Sequence, residues 1–324
     1  MIKIFIKKIL SKGRLLNKIT DCLIAVFIIP SSIVLLIYRK IGSARMVMST
    51  KVLKKIGVFP IRDHYYEPQF KYAKQSVDFS TDRCLPGIDL NINGQLELLS
   101  KLNFSQELVA LDLNKNSKFN INNNFFSKGD AEIYYQIIRY TKPNKIVEIG
   151  SGQSTLIALE AIKKNEQENN STTQLTCVEP YENLWLEDLS IPVIRKKIED
   201  INFDDREINL DTGDILFIDS SHIIRPQGDV LKIYLEILPR LKSGVIVHIH
   251  DIFTPKNYLK YWMEEHVLFW NEQYLLEALL TNTSKYKIIC ALNYLKHNHY
   301  NKLKSCCPYL DPETEPGSFY IEKI

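Results

Sequence analysis

Four short stretches place polar groups at the ends of apolar runs, where chemistry is easiest to build. In DILFIDSSH (214–222) an apolar run ends in Asp219, and His222 follows three residues later. In GVIVHIHD (244–251) the run ends in His250 and Asp251, with His248 two residues earlier. Two carboxylates, if the fold brings them face to face, suit a divalent metal with oxygen ligands, and such a metal can hold and acidify a hydroxyl. A histidine beside them is a base for work near neutral pH. In IVEIGSGQST (146–155) Glu148 is followed by Gly150, Gly152, Ser154 and Thr155, and QLTCVEP (174–180) carries Glu179.

Gly150 and Gly152 permit a tight turn and a close backbone approach to a ligand. The lysine of a phosphate loop is missing, and Thr155 stands where a nicotinamide fingerprint needs its third glycine. Glu148 would repel a pyrophosphate but pair with a cationic amino group. Glu179 suits a ribose diol, which dinucleotides and S-adenosylmethionine both carry.

The elements that must hold these residues alternate. Helical patterns at 130–140, 154–165 and 229–241 lie between apolar runs at 145–150, 174–180, 192–198, 214–220 and 244–251. That alternation predicts a parallel sheet with helices on both faces. Asp130 is read as the N-cap of the first of these helices. After a helix at about 271–280, two more runs (286–295 and 317–324) suit a terminal antiparallel pair joined without a helix. Ligands of such sheets sit at the carboxyl ends of the strands, beside the switch in strand order.

VEIGSGQST, CVEP, KKIED, DILFIDSSH and GVIVHIHD, in that order, resemble the class I S-adenosylmethionine-dependent methyltransferases. The resemblance covers roughly 124–324 and is strongest to the bacterial sugar and macrolide O-methyltransferase branch. It implies an α/β, Rossmann-like seven-stranded methyltransferase sheet whose last strand is antiparallel. It also implies that Glu148, Gly150, Gly152 and Ser154 contact the methionine portion of the cofactor, Glu179 the ribose, and Asp200 (or Glu199) the adenine neighbourhood. His222, Asp219 and Asp251 are the catalytic candidates. Asp219, Asp251 and His250 would be ligands if Mg2+ is used; catalysis by His222 without metal is the alternative. In the catechol-type branch a lysine base stands where this chain has His222, and a second oxygen ligand stands where it has Ile252.

The chain has 324 residues and a formal charge of +3, which hides an asymmetry. Residues 1–56 hold twelve Lys and Arg against Asp21 alone, while the remainder holds 29 basic and 37 acidic residues. Nucleic acid is therefore not an expected partner of the main body, since phosphate binding needs clustered cations. Six cysteines without C-x-x-C or zinc spacing fit a reducing compartment.

The run at 19–38 is long enough to meet a bilayer and is flanked by six basic residues on each side. A single span and a re-entrant helix broken at Pro30 both fit; each is expected to leave the main domain in the cytoplasm, at the inner membrane. The expected organisation is a basic anchoring segment (1–56), a connecting or lid region (57–123) and the methyltransferase domain (124–324). The aromatic group His64, Tyr65, Tyr66 and Phe70 is expected to pack under that domain or line its mouth. The expected activity is O-methylation of a glycan or lipid-linked saccharide. A non-catalytic scaffold and an oxidoreductase or hydroxylase relative are the other readings, and the oligomeric state is left open.

Overall fold

A computed structural model describes residues 14–61, 78–114, 119–169, 172–202, 209–264, 266 and 268–324. The chain divides into two units, Met1–Ser76 and Val77–Ile324. The group at His64–Phe70 lies outside the described residues.

The first unit contains α1 (Arg14–Ile41) and α2 (Val47–Ile56). Residues 18–41 of α1 are long and apolar enough to cross a membrane, and their most apolar stretch of 18 has a mean hydropathy of 2.3 with no residue buried. At 1.5 Å per residue its 24 residues reach about 36 Å, against roughly 30 Å of hydrocarbon. The helix runs unbroken through Pro30, so the re-entrant break is not present. The proline removes one backbone donor, and the Ser31 hydroxyl bonds back to the Phe27 carbonyl at 2.8 Å.

The second unit is built on a seven-stranded sheet of order β3-β2-β1-β4-β5-β7-β6. Its strands are β1 (Lys145–Ile149), β2 (Gln174–Val178), β3 (Val193–Ile194), β4 (Ile215–Ile218), β5 (Ile246–Ile249), β6 (Tyr286–Ala291) and β7 (Phe319–Lys323). β7 runs antiparallel to both its neighbours, and the pairings among β1 to β5 are parallel. The order reverses between β1 and β4, which is where a ligand crevice opens.

Strand parity divides the core in two. Ile146, Phe217 and Ile246 face one apolar layer with α5 (Asp130–Thr141) and α6 (Gln153–Asn169). Val147, Ile149, Leu216, Ile218 and Val247 face the other. That layer receives α7 (Asp229–Lys232), whose last turns widen and then tighten through Arg240. The pleat alternates side chains between faces, so each strand feeds both layers. Leu99, Leu102, Leu108 and Phe119, from the region before α5, are buried in the first layer.

Two expectations are corrected. Gly129, not Asp130, stands at the N-cap of α5; the Glu132 carboxylate accepts the Gly129 N–H at 2.9 Å. The link between β6 and β7 contains two helices, Leu292–Asn298 and Tyr300–Cys306, though the pair is antiparallel. They pack against the α5 layer, and the chain returns to the sheet through Gly317 beside Asp251.

Candidate active site

The turn after β1 explains its glycines. Gly150 has φ +79°, and a Cβ there would lie 2.0 Å from the Asp219 carbonyl oxygen. Only glycine lets the β1 turn lie this close to the end of β4. The result is a cleft of about 280 Å³ at the carboxyl ends of β1, β2 and β4. Its lining includes Gly150, Gly152, Ser154, Glu179 and Asp219, with Phe125 and Phe126 over it. Glu179, Glu182 and Asp219 give it three carboxylates, and no Lys or Arg among the described residues lines it.

Glu179 is held by the chain that follows it. Its Oε1 accepts the backbone N–H groups of Tyr181 and Glu182 at 3.0 and 2.9 Å. Arg195 donates to the carbonyls of Glu179, Glu182 and Asn183 and so stiffens the loop from outside. Asn183 closes it by donating to the Ser151 carbonyl at 2.8 Å.

Glu148 does not line the cleft. Parity turns it toward α5, where its carboxylate accepts hydrogen bonds from Tyr134 at 3.2 Å and Thr155 at 2.5 Å. Burial pushes it up to about 7, against the pull of these bonds. It braces the turn from beneath, and Thr155, the residue that breaks the nicotinamide pattern, is its partner. Asp200 ends a short helical turn after β3, and it too is outside the cleft lining.

Asp219 joins this cleft to a second, ion-rich group. His222 Nε2 lies 3.3 Å from Asp219 Oδ1 and 3.5 Å from Asp251 Oδ2. His250 Nδ1 lies 3.6 Å from each of the same two oxygens. His250 Nε2 is 3.8 Å from Asp130. His222 Nδ1 is 2.8 Å from Glu272 Oε2, and Glu272 is 0% exposed. His248 is a core residue: it stacks on Tyr320 at 4.0 Å and meets Ser318 at 2.8 Å.

The backbone at these positions is unusual. His222 and Asp251 both have φ +59°, a conformation that costs a non-glycine residue energy and persists only when its surroundings impose it. Around His222, the Asp229 carboxylate accepts from Ser221 N–H and hydroxyl at 2.6 and 2.7 Å. The His222 carbonyl accepts the N–H groups of Asn271 and Glu272, at the start of α9 (Glu272–Leu280). Beside Asp251, the Gly317 carbonyl accepts the Ile252 N–H at 2.8 Å. A Cβ on Gly317 would sit 3.0 Å from the Asp251 Cα.

The charges in the group set one another. Burial pulls His222 down, but its bonds to Asp219 and Glu272 and the nearby charges push it up to about 10. His250 is raised well above the ordinary value, its burial outweighed by Asp251, Asp130 and Asp219. Asp219 falls below the carboxylate range because the two imidazoles outweigh its desolvation. Asp251 moves the other way, raised by burial. The same carboxylates favour the charged form of the His222 imidazole.

The donor set fits a divalent cation. Asp219, His222 and Asp251 offer ligand atoms within 4.8 Å of one another. Glu272 occupies His222 Nδ1 and so aims Nε2 at the carboxylates, the arrangement by which a carboxylate orients a metal-ligating histidine. His250 Nδ1 is buried without a hydrogen-bond partner among the described residues, facing the same two oxygens.

Residues 147–252 match the family model of a methyltransferase domain. An uncharacterised protein of Archaeoglobus fulgidus is 32% identical over 161 residues, 46% of this chain and 70% of that protein. Residues 147–252 therefore form a methyltransferase domain. The sheet has the seven strands and the antiparallel last strand that the resemblance implied. Solved structures were also similar. The plantazolicin methyltransferase BpumL with SAH is 14% identical, with a TM-score of 0.39, over 72% of this chain and 98% of that one. A structure described as cmcI-D160 Mg-SAM gives 12%, 0.37, 61% and 72%. The O-methyltransferase TomG from Streptomyces achromogenes, with SAM, gives 11%, 0.36, 70% and 89%.

Sequence reasoning missed Glu272, Asp130's role, and the Phe125–Phe126 pair. Asn123 folds the last: its side-chain oxygen accepts both phenylalanine N–H groups at 2.9 and 2.7 Å. Phe126 then packs on His250, ring centroids 5.0 Å apart, while Phe125 stays 79% exposed at the cleft. Asn-x-Phe-Phe was the available signal, since asparagine bonds the backbone two residues on.

Proposed function

We propose that this protein is an O-methyltransferase that moves a methyl group from S-adenosylmethionine to a hydroxyl of a glycan or lipid-linked saccharide at the membrane. The observation that carries this reading is the cleft lined by three carboxylates and, among the described residues, by no Lys or Arg, opening through Asp219 onto the imidazole–carboxylate group. A cleft of that charge favours a cationic ligand over a pyrophosphate.

Gly150, Gly152 and Ser154 would lie against the methionine portion and Glu179 would bond the ribose hydroxyls. Glu148 would act from below the turn, and Asp200 would lie nearer the adenine end. A divalent cation such as Mg2+ would be held by Asp219 and Asp251 with His222 and His250, and it would lower the pKa of a bound acceptor hydroxyl. The acceptor hydroxyl would give its proton to an oxygen of the Asp251 carboxylate while its own oxygen bonds to the methyl carbon, and the electron pair of the broken carbon–sulfur bond would stay on sulfur. This chain's residues align the two reactants and keep the proton's destination close.

The saccharide acceptor is supported by an aromatic wall beside the acidic group. Trp270 lies 4.2 Å from the His222 ring, and Trp262 packs edge-on to it at 5.1 Å. Such faces suit an apolar sugar face. The lipid-linked class is supported by α1, which would anchor the protein with its main unit in the cytoplasm.

The test is calorimetric titration of the full chain in lipid nanodiscs with S-adenosylmethionine and with NAD, each with and without Mg2+. Methyl incorporation from labelled S-adenosylmethionine into membrane saccharides is measured alongside. Binding of S-adenosylmethionine and not NAD is expected. No binding of S-adenosylmethionine with or without metal would sink the reading.

A further inference from the structure

The first unit carries a second feature that the anchor alone does not require. Helix α2 has no buried residue. Met48, Val52 and Ile56 are spaced at i, i+4 and i+8 and so share one face. Met48 is 73% and Ile56 68% exposed. The apolar surface continues past the Gly57 cap into Val58, Phe59 and Ile61, all exposed. Lys51, Lys54 and Lys55 lie roughly 60° to 160° around the helix from the centre of that face, Lys54 the farthest. From Arg39 to Ile61 there are six basic residues and no acidic one.

The turn between the helices sets where α2 sits. The Tyr38 hydroxyl meets the Thr50 hydroxyl at 2.7 Å, and Thr50 donates to the Ser43 carbonyl at 2.8 Å. In one continuous helix these twelve positions would be about 18 Å apart. The chain therefore bends at Gly42, which has φ +103°, and Thr50, in the first turn of α2, is pinned beside the last turn of α1. Tyr38 ends the apolar run, at the level where tyrosine marks a membrane–water boundary. A basic, amphipathic helix fixed at that level has its apolar strip and its lysines where acyl chains and headgroups meet.

We propose that α2 lies in the interfacial layer of an anionic phospholipid bilayer, with Met48, Val52 and Ile56 inserted and Lys51, Lys54 and Lys55 on acidic headgroups. This rests on α1 being the membrane anchor, and not on the methyltransferase reading. The lysines of α2, in a stretch of sequence without an acidic residue, supply the charge complementarity, and the strip is continuous with the exposed apolar segment after it.

The experiment uses the full chain with its two exposed cysteines replaced (Cys22→Ser, Cys84→Ser); the other four are buried. Single cysteines are introduced as Val52→Cys or Lys54→Cys. Labelling by a membrane-impermeant maleimide is followed in phosphatidylcholine vesicles with or without about 30 mol% phosphatidylglycerol. On anionic vesicles V52C should react about tenfold more slowly than K54C. That ratio should shrink on neutral vesicles or in high salt, where headgroup attraction is lost. Equal rates on every vesicle would overturn the proposal. Slow V52C labelling that depends on protein concentration in detergent, without lipid dependence, would also overturn it in favour of a second copy of the chain. Failure to float with vesicles would overturn both this and the anchor, while S-adenosylmethionine binding would still stand or fall separately.

Discussion

The cleft beside β1 and β2 and the ion-rich group beside β4 and β5 share Asp219 but are built differently. The cleft is shaped by backbone: a left-handed glycine, a carboxylate held by two amides, and a loop tied by Arg195 and Asn183. The group beyond it is shaped by charge, with two imidazoles set among four carboxylates and two residues held at φ +59°. Binding a cofactor asks for a complementary surface, whereas chemistry asks for groups whose ionisation is set by their neighbours. The two halves should therefore fail separately.

The largest effect should come from the charged half. Asp251→Asn should lower methyl transfer by roughly a thousandfold and leave S-adenosylmethionine affinity within about threefold. Calorimetry and single-turnover transfer measure the two, and equal loss of both would erase the distinction drawn here. The complementary change is Glu179→Ala. Losing charge-assisted hydrogen bonds of about 1.5–3 kcal/mol each should weaken S-adenosylmethionine by roughly 10- to 100-fold, with Mg2+ binding unchanged.

Glu272→Gln sharpens the comparison within the charged half. Glu272 is a positioning residue, acting through His222. Its loss should weaken Mg2+ binding about ten- to a hundredfold and leave cofactor binding alone. A fold defect would instead move both and lower the melting temperature.

The smallest effect concerns the scaffold beneath the cleft. Burial pushes Glu132 and Glu148 up to about 7, above the ordinary glutamate value near 4.5. Between those limits the folded state binds more protons than the unfolded one, so stability falls as pH rises through that window. Glu132→Gln should flatten part of this slope. It should also lower stability by about 1–3 kcal/mol, because the amide cannot accept both the Gly129 and Tyr309 N–H groups. Urea unfolding from pH 5 to 8 measures both.

Much of the site was legible because it sits at strand ends. Apolar runs ending in Glu179, Asp219 and Asp251 mark the carboxyl edge of a parallel sheet, and Gly150 marks the turn that must come close. Asp219, His222, His250 and Asp251 do come together. Glu148 shows the limit of such reading. Its place next to the glycines suggested a ligand contact, but the two-residue pleat turns it into the α5 layer.

Sequence alone determined the strand–helix alternation, the basic and apolar N-terminal segment, and the polar residues at each strand end. These are local properties, written in periodicity and in residue type. Tertiary structure decided that Glu272, fifty residues after His222, holds its ring, and that Asp130 and Phe126 meet His250. It also decided that Thr50 folds back onto Tyr38. Those contacts depend on how helices and returning loops pack against the sheet and each other, and no spacing along the chain encodes them. The same packing sets the proton affinities, because burial and neighbouring charge exist only once the chain has folded.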